Sequence, residues 1–417
     1  AFRTGRVLVG SVDSVGINSL ATGFESQAIG NYSQALGYQA IALGDYSTAI
    51  GNYAEAMGNN SFAMGDSAIS KNDYTYAIGK FALADSMHSY AFGYKAKATG
   101  KGSYALGSPI DDTLAVLLGA TRNTHAAGDY SFALGMGSVA DSMGAFAIGD
   151  LASASNSVAF SIGTMTNASG NASLAMGHSS EASGDFSIAI GVTDTASGYN
   201  SIAIGNSSLA TNNNSTAIGY RNIATGDYAV AFGRQTSSYG DNGSTFGYLT
   251  MTDSTSLYAT AMGRGTRAGG YASTATGYNT YAQGNCSFAG GYNSSSFGDY
   301  SFATGYQMVC IGNFSLGIGL NSNADTIYQS NTMAVTGGNV GIGTTAPDKL
   351  LHVAGDARVE GDIYYGPSGS ATIYNKPDFV FEDTYSGKLD IMEIEEFINS
   401  NNHLPWVTSA KNEKNGV

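Results

Sequence analysis

The sequence predicts an all-β fold: a parallel β-roll wound in fourteen-residue coils, followed by a small mixed α/β module. Three observations carry that prediction. Gly recurs every seventh residue, at Gly16, Gly23, Gly30, Gly37, Gly44, Gly51, Gly58 and Gly65, and again from Gly163 to Gly205 and from Gly219 to Gly247. The residue before every second Gly is bulky (Ile148, Ile162, Met176, Ile190, Ile204, Ile218, Phe232), so the full unit is fourteen residues. Inside a unit the apolar period is two: Ile202 and Ile204 share one face, and Ser201, Ala203 and Gly205 share the other, the signature of a strand.

Each Gly slot is expected to be a turn. Where Gly fails, Asn72, Ser86 and Asn212 stand in. Asn is the residue next most tolerant of positive φ, so the slot is expected to need a left-handed backbone. A heptad coiled coil does not fit, because Gly costs roughly 1 kcal/mol at each helical position.

The alternation also assigns faces. The Ile-rich strand is bulky on one face and small on the other. Its partner, such as Ser180-Glu181-Ala182-Ser183-Gly184, is reliably apolar only at Ala. A single roll covers one face of each strand, so the Ile-rich strand is expected to be covered on its second face by copies of the same chain. Bulky residues are expected to fill the roll, with the small face meeting the neighbours. Parallel strands stack about 4.8 Å apart, so some twenty coils predict a rod of roughly 100 Å.

Composition agrees with a repeat rather than an ordinary globule. The 417 residues include 57 Gly and 5 Pro, with 12% charged and 43% apolar residues. Net charge is −14 and the Lys and Arg are scattered in sequence, which argues against nucleic acid as a partner. No run of about eighteen apolar residues predicts a transmembrane helix. Two Cys do not make a disulfide scaffold. The chain opens Ala1-Phe2-Arg3-Thr4, as expected of a processed chain or one that starts inside a longer protein.

The pattern divides the chain into a lead-in over 1–15, the roll over 16–319, a connector over 320–375 and a C-terminal module over 376–417. Irregular stretches at 108–127 and 248–262 are candidate loops. In the last module, 390–399 reads as a helix, with Asp390 and Glu393 at capping-box spacing and Ile391, Ile394 and Ile398 on one stripe.

Chemistry-bearing residues form no expected catalytic, cofactor or metal site. His88, His125, His178, His352 and His403 share no repeat position, and no metal-ligand spacing accompanies them. Of the acidic pairs, Glu382-Asp383 and Glu395-Glu396 read as solvated faces, while Asp111-Asp112 is a candidate ion contact in the first loop. Gly317-Ile318-Gly319 and Gly341-Ile342-Gly343 mimic phosphate loops without the strand–loop–helix context. Cys310 occupies an Ala slot and is expected to be buried. Cys286, about two coils away, is too distant to bridge to it.

Tyr is the strongest surface feature. Tyr38, Tyr94, Tyr199, Tyr220, Tyr278, Tyr292 and Tyr306 each follow a Gly, and Tyr32, Tyr46, Tyr53, Tyr130, Tyr228 and Tyr300 sit two after one. Turn placement predicts Tyr ladders along an edge. These serve as ring staples and, at Tyr38, Tyr46, Tyr94, Tyr199, Tyr220, Tyr228, Tyr278, Tyr292 and Tyr306, as candidate surface contacts.

Asn200-Ser201-Ile202-Ala203-Ile204-Gly205 and Asn214-Ser215-Thr216-Ala217-Ile218-Gly219 resemble the head repeat of trimeric autotransporter adhesins of Gram-negative bacteria. The resemblance covers about 16–319. It implies a left-handed roll, a homotrimer and extracellular attachment to a surface receptor or glycan, with no cofactor and no enzymatic activity. Gly338-Asn339-Val340-Gly341-Ile342-Gly343-Thr344-Thr345-Ala346-Pro347, with Leu351-His352-Val353, resembles a segment of phage tail-fibre and related bacterial surface proteins. Lys376-Pro377-Asp378-Phe379-Val380-Phe381 to His403-Leu404-Pro405 is similar to the end region of tail-fibre-like proteins of Bacteroidetes. That second likeness supports a phage-like tail fibre for host recognition as the alternative to a fibre that binds surfaces or assembles into filaments; a β-helical polysaccharide-degrading enzyme would need a grooved acidic or His cluster that the sequence does not show.

Overall fold

The computed structural model describes residues 2–4, 16–110, 122–361 and 391–404. It divides into two units, Ala1–Gly338 and Asn339–Val417. The first is a parallel β-solenoid. Its long ladder holds 23 strands, and a second ladder is made of strands mostly two residues long. Ile202 pairs with Thr216, and Leu209 with Ile223, so each strand lies on the strand fourteen residues later. In the second unit, Val340–Ile342 pairs in parallel with Leu351–Val353, and Ile391–Asn401 is an α-helix. Asp390 and Asp111-Asp112 lie outside the described residues, as do Glu382-Asp383.

The interior reverses the expected faces. Ala203 and Ala217 of the long ladder and Ala210 and Ala224 of the short one point inward and are fully buried, as are Ser201 and Ser215. Ile202, Ile204 and Ile218 point outward and are only half-buried. The physical reason is width. A coil of fourteen residues with two tight corners presses its two ladders together, and most interior positions between them hold only a methyl or a small hydroxyl side chain.

The Gly slots are of two kinds, which corrects the single-turn expectation. Gly205 has φ +136°, and the equivalent glycines from Gly23 to Gly305 lie between +94° and +154°. A Cβ on Gly205 would sit 1.9 Å from the Gly219 carbonyl oxygen of the next coil. The alternate slots, such as Gly198, have no positive φ, yet a Cβ there would also lie 1.9 Å from the Asn212 carbonyl oxygen. All the stand-ins fall in this second class. At several of them a short donor reaches the next coil: Ser86 Oγ donates to the Thr99 carbonyl at 2.6 Å and Ser142 Oγ to the Ser155 carbonyl at 2.8 Å. Asn72 Nδ2 donates likewise to Asp85. The left-handed residues instead lie two places after each slot, as at Tyr46 (φ 60°), Arg221 (φ 51°) and Tyr228 (φ 58°).

Both irregular stretches leave the stack intact. Tyr104 pairs with Phe132 and Lys97 with His125, so the paired strands here are twenty-eight residues apart rather than fourteen and the seven-residue count survives. The Ile110 amide donates to the Arg122 carbonyl at 3.1 Å. The second stretch adds two residues, because Ser244 pairs with Thr260. Beyond Gly319 the stack continues through Asp325–Ile327 and Met333–Thr336. Just before that point Met308 and Cys310 fill the interior, and Gly317 replaces the usual Ala; a Cβ on it would meet Met308 Cε at 2.4 Å.

A buried polar column lines one corner. Several of its members donate to the carbonyl of the glycine eleven residues on: Ser180 to Gly191 (3.0 Å), Ser208 to Gly219 (3.1 Å) and Asn222 Nδ2 to Gly233 (2.8 Å). Asn222 Oδ1 also accepts the Thr236 amide at 3.0 Å. Asp194 occupies the same position and is fully buried. Its Oδ1 accepts the Ser208 amide at 2.7 Å, but its Oδ2 has no hydrogen-bond partner. Burial pushes the Asp194 carboxyl above its ordinary pKa, partly opposed by backbone N–H groups of Ser208, Gly205 and Val192.

Two outcomes follow from this packing. Gly205→Ala should destabilise the fold by about 2–4 kcal/mol, from backbone strain plus overpacking, whereas Gly198→Ser should cost much less. Thermal melts followed by circular dichroism compare them, and equal losses would refute the two-class distinction. For Asp194 the raised folded-state pKa means that its contribution is complete below the unfolded-state pKa and disappears as pH rises through the folded value. Asp194→Asn, copying Asn222, should therefore be more stable than the parent at pH 8 by about 1–3 kcal/mol. Denaturation at pH 5 and pH 8 should show that gap narrowing as pH falls.

Candidate functional surface

In-register stacking turns each position of the repeat into a lengthwise column. The residue after each second-class slot is Asn or Asp in most coils, and its side chain accepts the backbone N–H of the residue fourteen places earlier. Asn31 N–H donates to Asp45 Oδ1 at 2.8 Å, Asp45 N–H to Asn59 at 2.9 Å and Asn171 N–H to Asp185 at 2.8 Å. The same bonds recur at Asp227–Asp241 and Asn285–Asp299, both 2.8 Å. The repeated Gly-Asp and Gly-Asn pairs were the sequence signal for this ladder.

The Tyr residues separate into columns on two corners. On one corner Tyr32 stacks on Tyr46 with centroids 5.0 Å apart, and Tyr300 stacks on Phe314 at 5.0 Å. Tyr228 lies on this corner, 61% exposed and without a ring contact among the described residues. Tyr199 meets Phe186 edge-on at 5.6 Å. On the other corner Tyr38 stacks on Phe24 at 5.2 Å, and Tyr94 packs tilted against Phe81 at 6.2 Å. Tyr220, Tyr278, Tyr292 and Tyr306 stand not in turns but at the ends of five-residue strands.

Two columns went unread in the sequence. Phe62, Tyr76, Tyr90, Tyr104, Phe132, Phe146 and Phe160 form an unbroken ring ladder on the outward face of the long sheet, with centroids from 4.6 Å to 6.3 Å apart. Burial and the flanking Tyr104 and Tyr76 hold the Tyr90 phenol above its ordinary pKa. The second column interleaves cations with rings. The Arg234 guanidinium lies 5.6 Å from the Tyr220 ring and 5.3 Å from that of Tyr248; Arg264 lies 5.7 Å from Tyr248 and 5.2 Å from Tyr278. Tyr278, Tyr292 and Tyr306 continue it as parallel stacks at 5.0 Å. The basic residues are thus less scattered than their sequence positions suggest, because Arg221, Arg234, Arg264 and Arg267 fall within four neighbouring coils, the third of which holds Tyr248 instead.

The remaining chemistry is dispersed. Among the described residues no group of three His, Cys, Asp or Glu is placed to hold a metal. His125 Nε2 lies 3.0 Å from the Thr99 hydroxyl, and burial lowers its pKa. Cys286 is exposed and Cys310 buried, both as free thiols. A pocket of about 450 Å³ is lined in part by Ile110, Leu151, Met165 and Arg122.

Stacked parallel coils, columns of repeated side chains and no gathered set of reactive groups among the described residues define a structural repeat solenoid. The model of the YadA head domain repeat matches 28–54, 84–108, 122–138, 126–152, 161–192, 196–222, 224–248, 254–280 and 282–307, and the chain belongs to this trimeric autotransporter adhesin head-repeat family. That is a structural adhesin family and not an enzyme family. The matched stretches end at 307, short of the segments that resemble tail fibres. No curated protein matches the chain. No described helix is long and apolar enough to cross a membrane.

The ladder geometry sets a graded expectation for Tyr. Tyr292→Ala breaks two stacks and should cost about 1–3 kcal/mol, while Tyr228→Ala should change stability by less than ~0.5 kcal/mol. Equal melting shifts for the two variants would remove stacking as the reason for the ladder.

Proposed function

We propose that three copies of this chain pack along the outward face of the long ladder to make an extracellular adhesive fibre. The observation that carries this reading is the apolar stripe left uncovered by the roll. Ile188, Ile190, Ile202 and Ile204 all lie on it, half-buried, with Phe232 53% and Met262 48% exposed further along. A continuous apolar face of this kind marks an interaction site, and an interior of Ala and Ser offers too little burial of its own. Membership of an adhesin head-repeat family supports both the trimer and placement at the cell surface.

Adhesion in this reading comes from repetition. The outward Tyr columns, including Tyr38, Tyr46, Tyr94, Tyr199, Tyr220, Tyr228, Tyr278, Tyr292 and Tyr306, offer a weak contact many times over on each of three chains, and avidity multiplies them. Native mass measurement of the full chain should give three times the chain mass. Ile190→Asp with Ile204→Asp should shift that mass towards single chains. A stable, folded monomer of the parent chain would overturn the trimer.

A further inference from the structure

We infer that the Tyr220–Tyr306 column is a binding track for a linear acidic polysaccharide carrying about one carboxylate per disaccharide. The inference deepens the adhesive reading and rests on it, naming a ligand class for one stretch of the fibre.

Arg234 and Arg264 are exposed, and neither has an ion-pair partner among the described residues. Arg267 differs: its Nη2 lies 2.6 Å and its Nε 2.8 Å from the Asp253 carboxylate. Each free guanidinium lies between Tyr rings of the coils before and after it, within the range of cation–π attraction. Such an arrangement uses the faces of the group and leaves its N–H edge for a ligand. It also restrains a long side chain before binding, so less conformational entropy is lost when a carboxylate arrives.

Spacing selects the ligand. Tyr and Arg alternate coil by coil from Tyr220 to Tyr278, so the two guanidinium groups lie two strands apart, roughly 10 Å. An extended β-linked polysaccharide with alternating neutral and acidic sugars repeats its carboxylate on that scale. The intervening rings of Tyr248 and Tyr278 would meet sugar C–H faces, and Tyr292 and Tyr306 extend the same platform past the last Arg. Nucleic acid fits less well. Its phosphates are far denser than one per two coils, and Asp227 and Asp241 lie in the same coils of a chain with net charge −14.

The test uses the purified full chain and immobilised hyaluronan, with dextran as the neutral control and poly(A) RNA as the nucleic-acid control. Hyaluronan should be retained, more weakly as salt rises, and dextran should not. Arg234→Gln with Arg264→Gln should weaken retention at least ten-fold, and the paired Lys variants should fall between, since Lys keeps the charge without the planar fork. Arg267→Gln should bind as the parent does. Circular dichroism melts and native mass establish that each variant keeps its fold and assembly. Equal retention of dextran, undiminished binding by the double Gln variant, no retention of hyaluronan, or tighter binding of poly(A) would each overturn the inference. If the parent chain is trimeric and hyaluronan is not held, only this inference falls; a monomeric parent removes the trimeric fibre itself.

Discussion

The fold depends on the contact between one coil's glycine and the backbone of the next. At Gly205 and Gly198 the space a Cβ would occupy is already filled by a carbonyl oxygen fourteen residues later. That closeness lets each corner turn tightly enough for its amides to reach the neighbouring coil, as when the Ser207 amide donates to the Val192 carbonyl at 2.8 Å. Once the corners are fixed, the two strands of each coil have no choice of register. A one-residue slip would press a side chain into a carbonyl at every corner above it.

Tight corners have a cost in the interior. The ladders approach too closely for Ile or Phe, so the roll buries Ala and Ser and sends its large apolar residues outward. An isolated roll therefore has its hydrophobic surface on the wrong side for stability in water. The same geometry explains the polar column: glycine carbonyls turned inward at one corner need donors, and Ser180, Ser208 and Asn222 supply them. Asp194 meets that need only when it carries a proton.

Period and strand direction were legible because they depend on spacing alone. Gly at every seventh position and Ile202 and Ile204 two apart suffice for a parallel coil of fourteen. The inside and outside of the coil were not legible, since alternation separates two faces without saying which is enclosed. Bulk suggested a core, but the narrowness imposed by the glycine contacts overrode bulk. The role of the stand-ins was misread for a related reason. Asn72 and Ser86 were compatible with positive φ, yet their bonds to Asp85 and Thr99 show that donor reach decides. Columns such as Tyr76–Tyr90–Tyr104 and Arg234–Tyr248–Arg264 appear only when the sequence is wrapped at the coil length, where residues far apart become neighbours.

Stacking at one strand spacing also accounts for the scarcity of charge. A charge repeated in register would face its own copy at about 4.8 Å, a repulsion of roughly 0.9 kcal/mol even in water. The chain avoids this in three ways. It places opposite charges one coil apart, as in Lys71–Asp85 (3.0 Å), Lys80–Asp66 (3.1 Å) and Arg267–Asp253 (2.6 Å). It alternates neutral with acidic side chains over much of the corner ladder, as in Asn31, Asp45, Asn59 and Asp73, with Asp227 and Asp241 an exception. It separates Arg234 from Arg264 with Tyr248, whose ring attracts both. The low charge content and the interleaved Arg–Tyr track are thus two results of one constraint, and the track is where that constraint leaves positive charge free to meet a ligand.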